Sequence, residues 1–392
     1  MANVKFYVHY FIVLIFYSNV FAIQKDEFSL EKRGNDYDVN LPGTKLRLIS
    51  MVFRHGDRTL DNDFSFMYPN NPYINHDDYP YNDGQLTQAG RRRAFLFGQL
   101  LRKWYNDFLG NIYYPPNVYA RSTVLPRTKM TLQVILAALY PPIDSRQKWN
   151  ENLSWQPVDT IYTSSSQDSL LFPYNCKEYR ETYINILHSN AVIAEIEAFN
   201  DTIKDLSKYV GRNISGVYEL SALYHILSIQ ASMNLSLPKW SHDVFPSGRL
   251  FDAAMLQYKL YNYNDKLIRL NGGILLYKIL QDMNGVINGT LSDRKINLFS
   301  AHDVNVFAFL RALGIFDNKI PAFTSSVIVE LREKNGEYFV RVLHYLGIPS
   351  VLSPVRIPNC DVLCPFEKFI RLTSATTATH EDPKCPLTIA IY

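Results

Sequence analysis

Leu46-Arg47-Leu48-Ile49-Ser50-Met51-Val52-Phe53-Arg54-His55-Gly56-Asp57-Arg58 is the stretch that decides the fold of this 392-residue chain. Leu46 and Leu48 alternate with charged neighbours, and residues 49–53 are then almost continuously apolar, the pattern of a strand covered on both faces. The apolar run stops at a histidine flanked by guanidinium groups. Arg54 and Arg58 offer planar forks of N–H donors matched to phosphoryl oxygens. The imidazole of His55 between them faces a phosphorus whose negative shield is neutralised. A solvated basic turn with one surface histidine is the alternative, and the rest of the chain argues against it.

Two more strand ends carry groups of the same kind. Residues 117–120 read as a short strand that stops at Arg121, and residues 296–300 as a strand ending in Ala301-His302-Asp303. A helix follows over 304–313, with Gly314 as its C-cap. In open α/β sheets the carboxyl ends of strands are where ligands bind, and helix N-termini there add a partial positive field that favours an anion. Taken alone, His302-Asp303 reads as an N-cap pair. Three basic strand ends in one chain favour a shared anion site instead.

Between these ends, Thr87 caps a helix in which Phe97, Leu101, Trp104 and Phe108 recur at near-helical spacing. Met130, Val134, Ala137 and Ala138 mark a second helix, which Pro141-Pro142 terminates. Asn335-Gly336, between apolar runs at 327–331 and 338–343, signals a type I′ hairpin, so the sheet is mixed. Over 144–290 no clear strand pattern remains, and helical stretches at 179–198 and 250–270 mark an insertion. The expected fold is α/β: a mixed, mainly parallel sheet flanked by helices, with an inserted, mainly helical cap. The core comes in two parts, 23–143 and 291–392, and the cap spans 144–290.

Residues 1–22 read as a signal peptide: a basic start ending at Lys5, an apolar run over 6–17, and a small residue closing Val20-Phe21-Ala22. No later stretch is long and apolar enough for a bilayer span, so the expectation is an exported protein with no stable membrane anchor. Asn152, Asn200, Asn213, Asn234 and Asn288 each open an N-x-S/T sequon, which fits that route. Cys176, Cys360, Cys364 and Cys385 are even in number, suiting an oxidising compartment and two bridges, and are too scattered for a zinc site. A net charge of +3 with one tight basic cluster, Arg91-Arg92-Arg93 on a helical pattern, gives no case for nucleic acid. The segment 67–84 is a long loop. Its Tyr68, Tyr73, Tyr79 and Tyr81 suggest an aromatic entrance, while His76-Asp77-Asp78 lacks partner ligands, so no metal is expected.

At these residues the chain resembles the histidine acid phosphatase family of the histidine phosphatase superfamily, of the prostatic, lysosomal and insect venom type. The likeness is carried by Phe53-Arg54-His55-Gly56-Asp57-Arg58, Gln85-Leu86-Thr87-Gln88-Ala89-Gly90, Arg121-Ser122-Thr123 with Arg127-Thr128, Leu237-Pro238-Lys239-Trp240, Arg269-Leu270-Asn271-Gly272-Gly273 and Phe299-Ser300-Ala301-His302-Asp303. It looks most like the secreted venom-type members. The resemblance implies an α/β core with a helical cap, and His55 as the nucleophile that becomes phosphohistidine. It further implies Arg54, Arg58, Arg121 and His302 as phosphate-binding groups and Asp303 as the general acid. It also implies bridges Cys176–Cys385 and Cys360–Cys364, no cofactor, and a homodimer. Two departures stand out: Leu60 where the family usually has proline, and Val124 where it has an acidic residue. Loss of the proline loosens the loop entropically without removing a charged group.

The chemistry then follows. A phosphate monoester dianion repels nucleophiles, so catalysis depends on positioning and electrostatics. His55 must be neutral to attack, and cationic surroundings oppose its protonation. Asp303 must hold a proton, which the adjacent dianion favours. The two demands overlap at acidic pH. The reading is a secreted, metal-independent acid phosphatase acting on small-molecule or protein phosphate monoesters through a phosphohistidine. Its alternatives are a catalytically weak or silent secreted binding protein on the same fold, and a phosphatase of polyphosphorylated inositol. A phosphoglycerate-mutase-like transferase would lack its cytosolic substrate after export.

Overall fold

Lys45–Arg54 form strand β1, buried from Leu48 onward. The computed structural model describes residues 39–61, 66–78, 80–347 and 352–382, so the leader expected over 1–22 lies outside the described residues, as do Tyr79 and Cys385. Strands β2 (Val118–Ser122), β3 (Ile161–Tyr162), β4 (Ile296–Ala301), β5 (Ser326–Lys334), β6 (Glu337–Tyr345) and β7 (Leu352–Val355) join β1 in the order β3-β2-β4-β1-β5-β6-β7. A short β8 (Cys364–Pro365) pairs with β6 off this path. β1 to β4 run parallel to one another and β6 shares their direction, while β5, β7 and β8 run against them.

The continuous apolar character of β1 follows from its place inside the sheet. Ile49, Met51 and Phe53 pack on one face against Phe97 and Leu101 of α1 (Gln88–Leu109) and Leu132 and Ile135 of α2 (Pro126–Leu139). Helices α3 (Lys177–Leu187), α4 (Asn190–Glu197), α5 (Asn200–Val210), α6 (Val217–Ser232), α7 (Arg249–Leu260) and α8 (Asp265–Leu270) come next in the chain. Val192, Leu206, Leu220, Leu223 and Leu250, spread over α4 to α7, share a second apolar cluster with Met67 and Tyr68 of the long loop. The opposite sheet face, with Leu48 and Val52, is covered by α9 (Gly272–Ile287) and α10 (Asp303–Ala312), and α11 (Phe366–Thr373) closes the edge. α9 falls in the stretch read as insertion, yet its Leu276, Ile279 and Met283 pack on the sheet with Phe299 and Val327. Each such buried side chain contributes roughly 1.5–3 kcal/mol.

Local signals land where the residue chemistry puts them. Asn335 and Gly336 take φ of 52° and 83°, the two left-handed positions that a type I′ turn requires between β5 and β6. Thr87 caps α1 by accepting from the Gly90 N–H at 3.1 Å. A Cβ on Gly90 would stand 2.1 Å from the Asp57 carbonyl, and one on Gly56 would stand 2.5 Å from the Gly90 carbonyl. Only glycine lets the start of α1 lie this close to the turn that follows β1. Cys360 and Cys364 form a disulfide. Cys176 is also disulfide-bonded, and the partner expected for it, Cys385, lies outside the described residues.

One charged cluster sits inside this core. Glu330 of β5 is fully buried and accepts from Arg332 Nε at 2.7 Å, Arg341 Nε at 2.8 Å and the Tyr105 hydroxyl at 2.8 Å. Both arginines also donate to the Val39 carbonyl, which ties the chain ahead of β1 to the sheet. Removing one charge of such a group strands the others in a low dielectric. Glu330→Gln is therefore expected to lower the unfolding free energy by about 3 kcal/mol in denaturant titration, and an unchanged midpoint would show the cluster to be energetically neutral.

Candidate active site

Parallel pairing aligns Arg54 of β1 with Ala301 of β4, so His55 and His302 are the first residues beyond two neighbouring strands. The His55 N–H donates to the Ala301 carbonyl at 3.0 Å, and the two imidazole rings lie 5.5 Å apart. His55 Nδ1 is 2.8 Å from the Gly56 carbonyl. A carbonyl only accepts, so Nδ1 carries the proton and Nε2 keeps its lone pair.

Around this atom is a cavity of ≈ 420 Å³ lined by Arg54, His55, Arg58, Arg127, His302 and Asp303 among others. Arg54 spans it: one Nη donates to the Pro321 carbonyl at 2.8 Å, the other pairs with Asp303 Oδ2 at 2.7 Å, and the guanidinium lies 4.1 Å over the Phe323 ring. Its Nε is buried without a hydrogen-bond partner. Arg58 and Arg127 are both held by the Asp61 carboxylate, at 2.9 and 3.3 Å. His302 is the N-cap residue of α10, its N–H donating to Asn305 Oδ1 at 3.1 Å, and its Nε2 is 3.1 Å from the Thr123 hydroxyl. Asp303 opens the helix, with Oδ1 accepting from the Val304 N–H at 2.8 Å.

Arg121 does not join this group. The strand expected to stop before it runs on to Ser122, and period-two alternation turns its side chain to the face where Asp168 sits, 2.6 Å away. The third cavity arginine is Arg127, at the second position of α2 after Pro126. A cation in the first turn of a helix opposes the macrodipole, and that was the available sign of a special role. The aromatic entrance is also built differently. Tyr68 is buried in the cap cluster, Tyr73 donates to the Ser236 carbonyl, and Tyr81 stacks under Arg91. The cavity tyrosines are Tyr218, Tyr258 and Tyr261, with Phe66 and Met67 from the loop. Leu60 packs against the cap cluster, so the residue standing in place of proline still anchors its loop. His76 pairs with Asp78 at 2.8 Å, and no group of three metal-ligating side chains occurs among the described residues.

A sequence profile described as the histidine phosphatase superfamily (branch 2) matches residues 45–345. The chain belongs to the histidine phosphatase superfamily, branch 2. It is 39% identical over 342 residues to a venom acid phosphatase of Apis mellifera, covering 87% of this chain and 88% of that protein. It is 31% identical over 359 residues to the prostatic acid phosphatase of Homo sapiens, covering 90% of each. A phytase of Hafnia alvei in its apo form shares the fold with a TM-score of 0.64 at 17% identity, over 88% of this chain and 100% of that one.

In this histidine phosphatase the electrostatics favour neutral imidazoles. Burial is the largest cause holding His55 well below its ordinary value, and Arg127, Arg54, His302 and Arg58 add to it. Desolvation therefore outranks the cationic surroundings from which neutrality was expected. His302 is pushed down to about 3 by burial and Arg127, and Arg58 to about 9 by burial and the same arginine. For Asp303 burial acts upward, but the Arg54 guanidinium foremost outweighs it and holds the carboxyl well below the usual range. The site thus pairs a neutral His55 imidazole with an ionised Asp303 carboxylate.

Proposed function

We propose that the protein is a metal-independent acid phosphatase that hydrolyses phosphate monoesters through a phosphohistidine at His55. The observation that carries this reading is the lone pair on His55 Nε2, left by the Nδ1 bond to Gly56, in a cavity bearing Arg54, Arg58 and Arg127. The three guanidinium groups and His302 bind the phosphoryl oxygens and stabilise the charge spread over them in the transition state. Asp303 protonates the leaving alkoxide. In the free site it cannot, because it is ionised against Arg54. A bound dianion draws Arg54 to its own oxygens and raises the affinity of Asp303 for a proton. Water then attacks the phosphohistidine and Asp303 takes a proton back.

The pH sense follows from these directions. His55, depressed in the folded site, stays neutral when the pH falls below the ordinary histidine range, so the nucleophile survives acid. Rising pH strips Asp303 in the complex and slows esters that need a proton. Hydrolysis of p-nitrophenyl phosphate with chelator present, from acidic to neutral pH, tests the reading: activity peaking in acid supports it, and a folded protein without hydrolysis favours a silent binding protein. Asp303→Asn is expected to lower kcat/KM for an alkyl phosphate about 100-fold, and for p-nitrophenyl phosphate much less, since nitrophenolate hardly needs a proton. Equal slowing of both would remove Asp303 as the acid.

A phosphatase of polyphosphorylated inositol is less well supported, because among the described residues the cavity lining has no lysine or arginine beyond the three arginines to hold further phosphates. The five sequon asparagines, Asn152, Asn200, Asn213, Asn234 and Asn288, are all exposed, and among the described residues no helix is long and apolar enough to cross a membrane. These facts support export as a glycoprotein.

A further inference from the structure

His225 is a half-buried titratable group to which the phosphoryl chemistry gives no task. It stands on α6 and lines the cavity together with Tyr218, Ser221 and Ala222, one helical stripe at i, i+3, i+4 and i+7. Its Nε2 is 3.2 Å from the Tyr258 hydroxyl on α7. The same hydroxyl lines the cavity beside Asp303, the leading charge acting on it, and the Asp303 carboxylate is held by Arg54 at 2.7 Å. Tyr258 has little freedom to turn away, since its ring packs 4.9 Å from Phe307 of α10. His225, Tyr258 and Asp303 thus line one cavity wall in succession from the cap to the core. A phenol has one proton and two acceptor sites, so it can accept from an imidazole while donating to a carboxylate.

We propose that His225 and Tyr258 form a proton relay that rearms Asp303 between turnovers, an inference that rests on the acid phosphatase reading above. The proton count balances. The Nε2–H of an imidazolium at His225 passes to the Tyr258 oxygen as the Tyr258 O–H passes to Asp303. One N–H and one O–H break, two O–H bonds form, and neutral imidazole, intact phenol and carboxylic acid remain. Asp303 then gives that proton to the leaving alkoxide, and the proton released by the attacking water travels back. The groups facing His225 fit the task. Burial lowers it to about 4; Asp303 from α10 favours its charged form, and Arg54 and Arg58 from the β1 end oppose it. The imidazole thus titrates in the acid range, and a bound dianion, by drawing those arginines to itself, favours its protonation.

Tyr258→Phe and His225→Gln test the relay when kcat/KM is measured for an alkyl phosphate and for p-nitrophenyl phosphate at acidic pH. The ratio of alkyl to aryl kcat/KM is expected to fall about tenfold in each variant, and no further in the double variant, because both residues serve one chain. A loss shared equally by the two esters, or losses that multiply in the double variant, would overturn the relay and leave a structural role. Should Tyr258→Phe fold poorly, the same ratio in His225→Gln decides alone. Wild-type protein inactive on both esters would overturn the phosphatase reading and the relay together. Active wild type with an unchanged ratio in the variants overturns the relay only.

Discussion

Replacing His55 with alanine is expected to lower kcat on p-nitrophenyl phosphate by at least about 10⁴-fold. The reason lies in the tautomer. Nδ1 is tied to the Gly56 carbonyl and the backbone N–H to Ala301, so the ring presents Nε2 to the cavity with no rearrangement left to make. Nothing nearby can substitute. His302 has its Nε2 engaged with the Thr123 hydroxyl, which is itself 2.7 Å from the Thr128 hydroxyl, and His225 in the same cavity has its Nε2 on the Tyr258 hydroxyl. Steady-state rates with chelator present, joined to an alkaline quench that captures base-stable phosphohistidine, check this. Wild type should accumulate labelled protein and the variant none. Substantial turnover in the variant would take the nucleophile's role away from His55.

Arg127→Ala should cost about 10³-fold in kcat/KM and raise the inhibition constant of inorganic phosphate by about two orders of magnitude. Arg127 sits in the cavity and is the leading charge depressing His55 and His302, so on the proposed mechanism its loss removes a phosphoryl ligand and part of the field that keeps both rings neutral. Arg121→Ala provides the contrast. Arg121 faces the buried Asp168, whose carboxyl is already pushed up by burial, so truncation strands that acid and lowers stability. Inhibition by phosphate in the two variants separates the assignments. A constant that rises for Arg121→Ala and stays put for Arg127→Ala would reverse them.

That exchange of arginines shows where sequence reading stops. β1 was legible because burial on both faces removes polar residues from a whole run, and the break at Arg54 is abrupt. The hairpin was legible because Asn335-Gly336 encodes two left-handed residues in a dipeptide. Arg121 misled because its face depends on whether β2 ends one residue before it or one after, and the ladder with β4 through Ser122↔Ser300 decides that. Asp61, Phe323, His225 and Tyr258 were out of reach for a different reason: they reach the cavity or, for Phe323, its Arg54 and His55 from separate loops and helices through long-range packing. The stripe Tyr218, Ser221, Ala222, His225 was on view as a helical period, but a period says only that residues share a face, not which neighbour that face meets.

The pairing of β1 with β4 has a consequence for how such a protein diversifies. His55 and His302 each follow directly on one of two hydrogen-bonded parallel strands, so their separation is set by inter-strand spacing, a dimension common to all sheets and indifferent to side chains elsewhere. The cavity residues of the long loop and α6, Met67 and Ala222 among them, belong to a different layer with its own apolar cluster. Substitutions there can reshape substrate preference while the phosphoryl cradle keeps its dimensions. Fold likeness to a phytase at 17% identity is what an invariant ruler beneath a replaceable roof would leave behind.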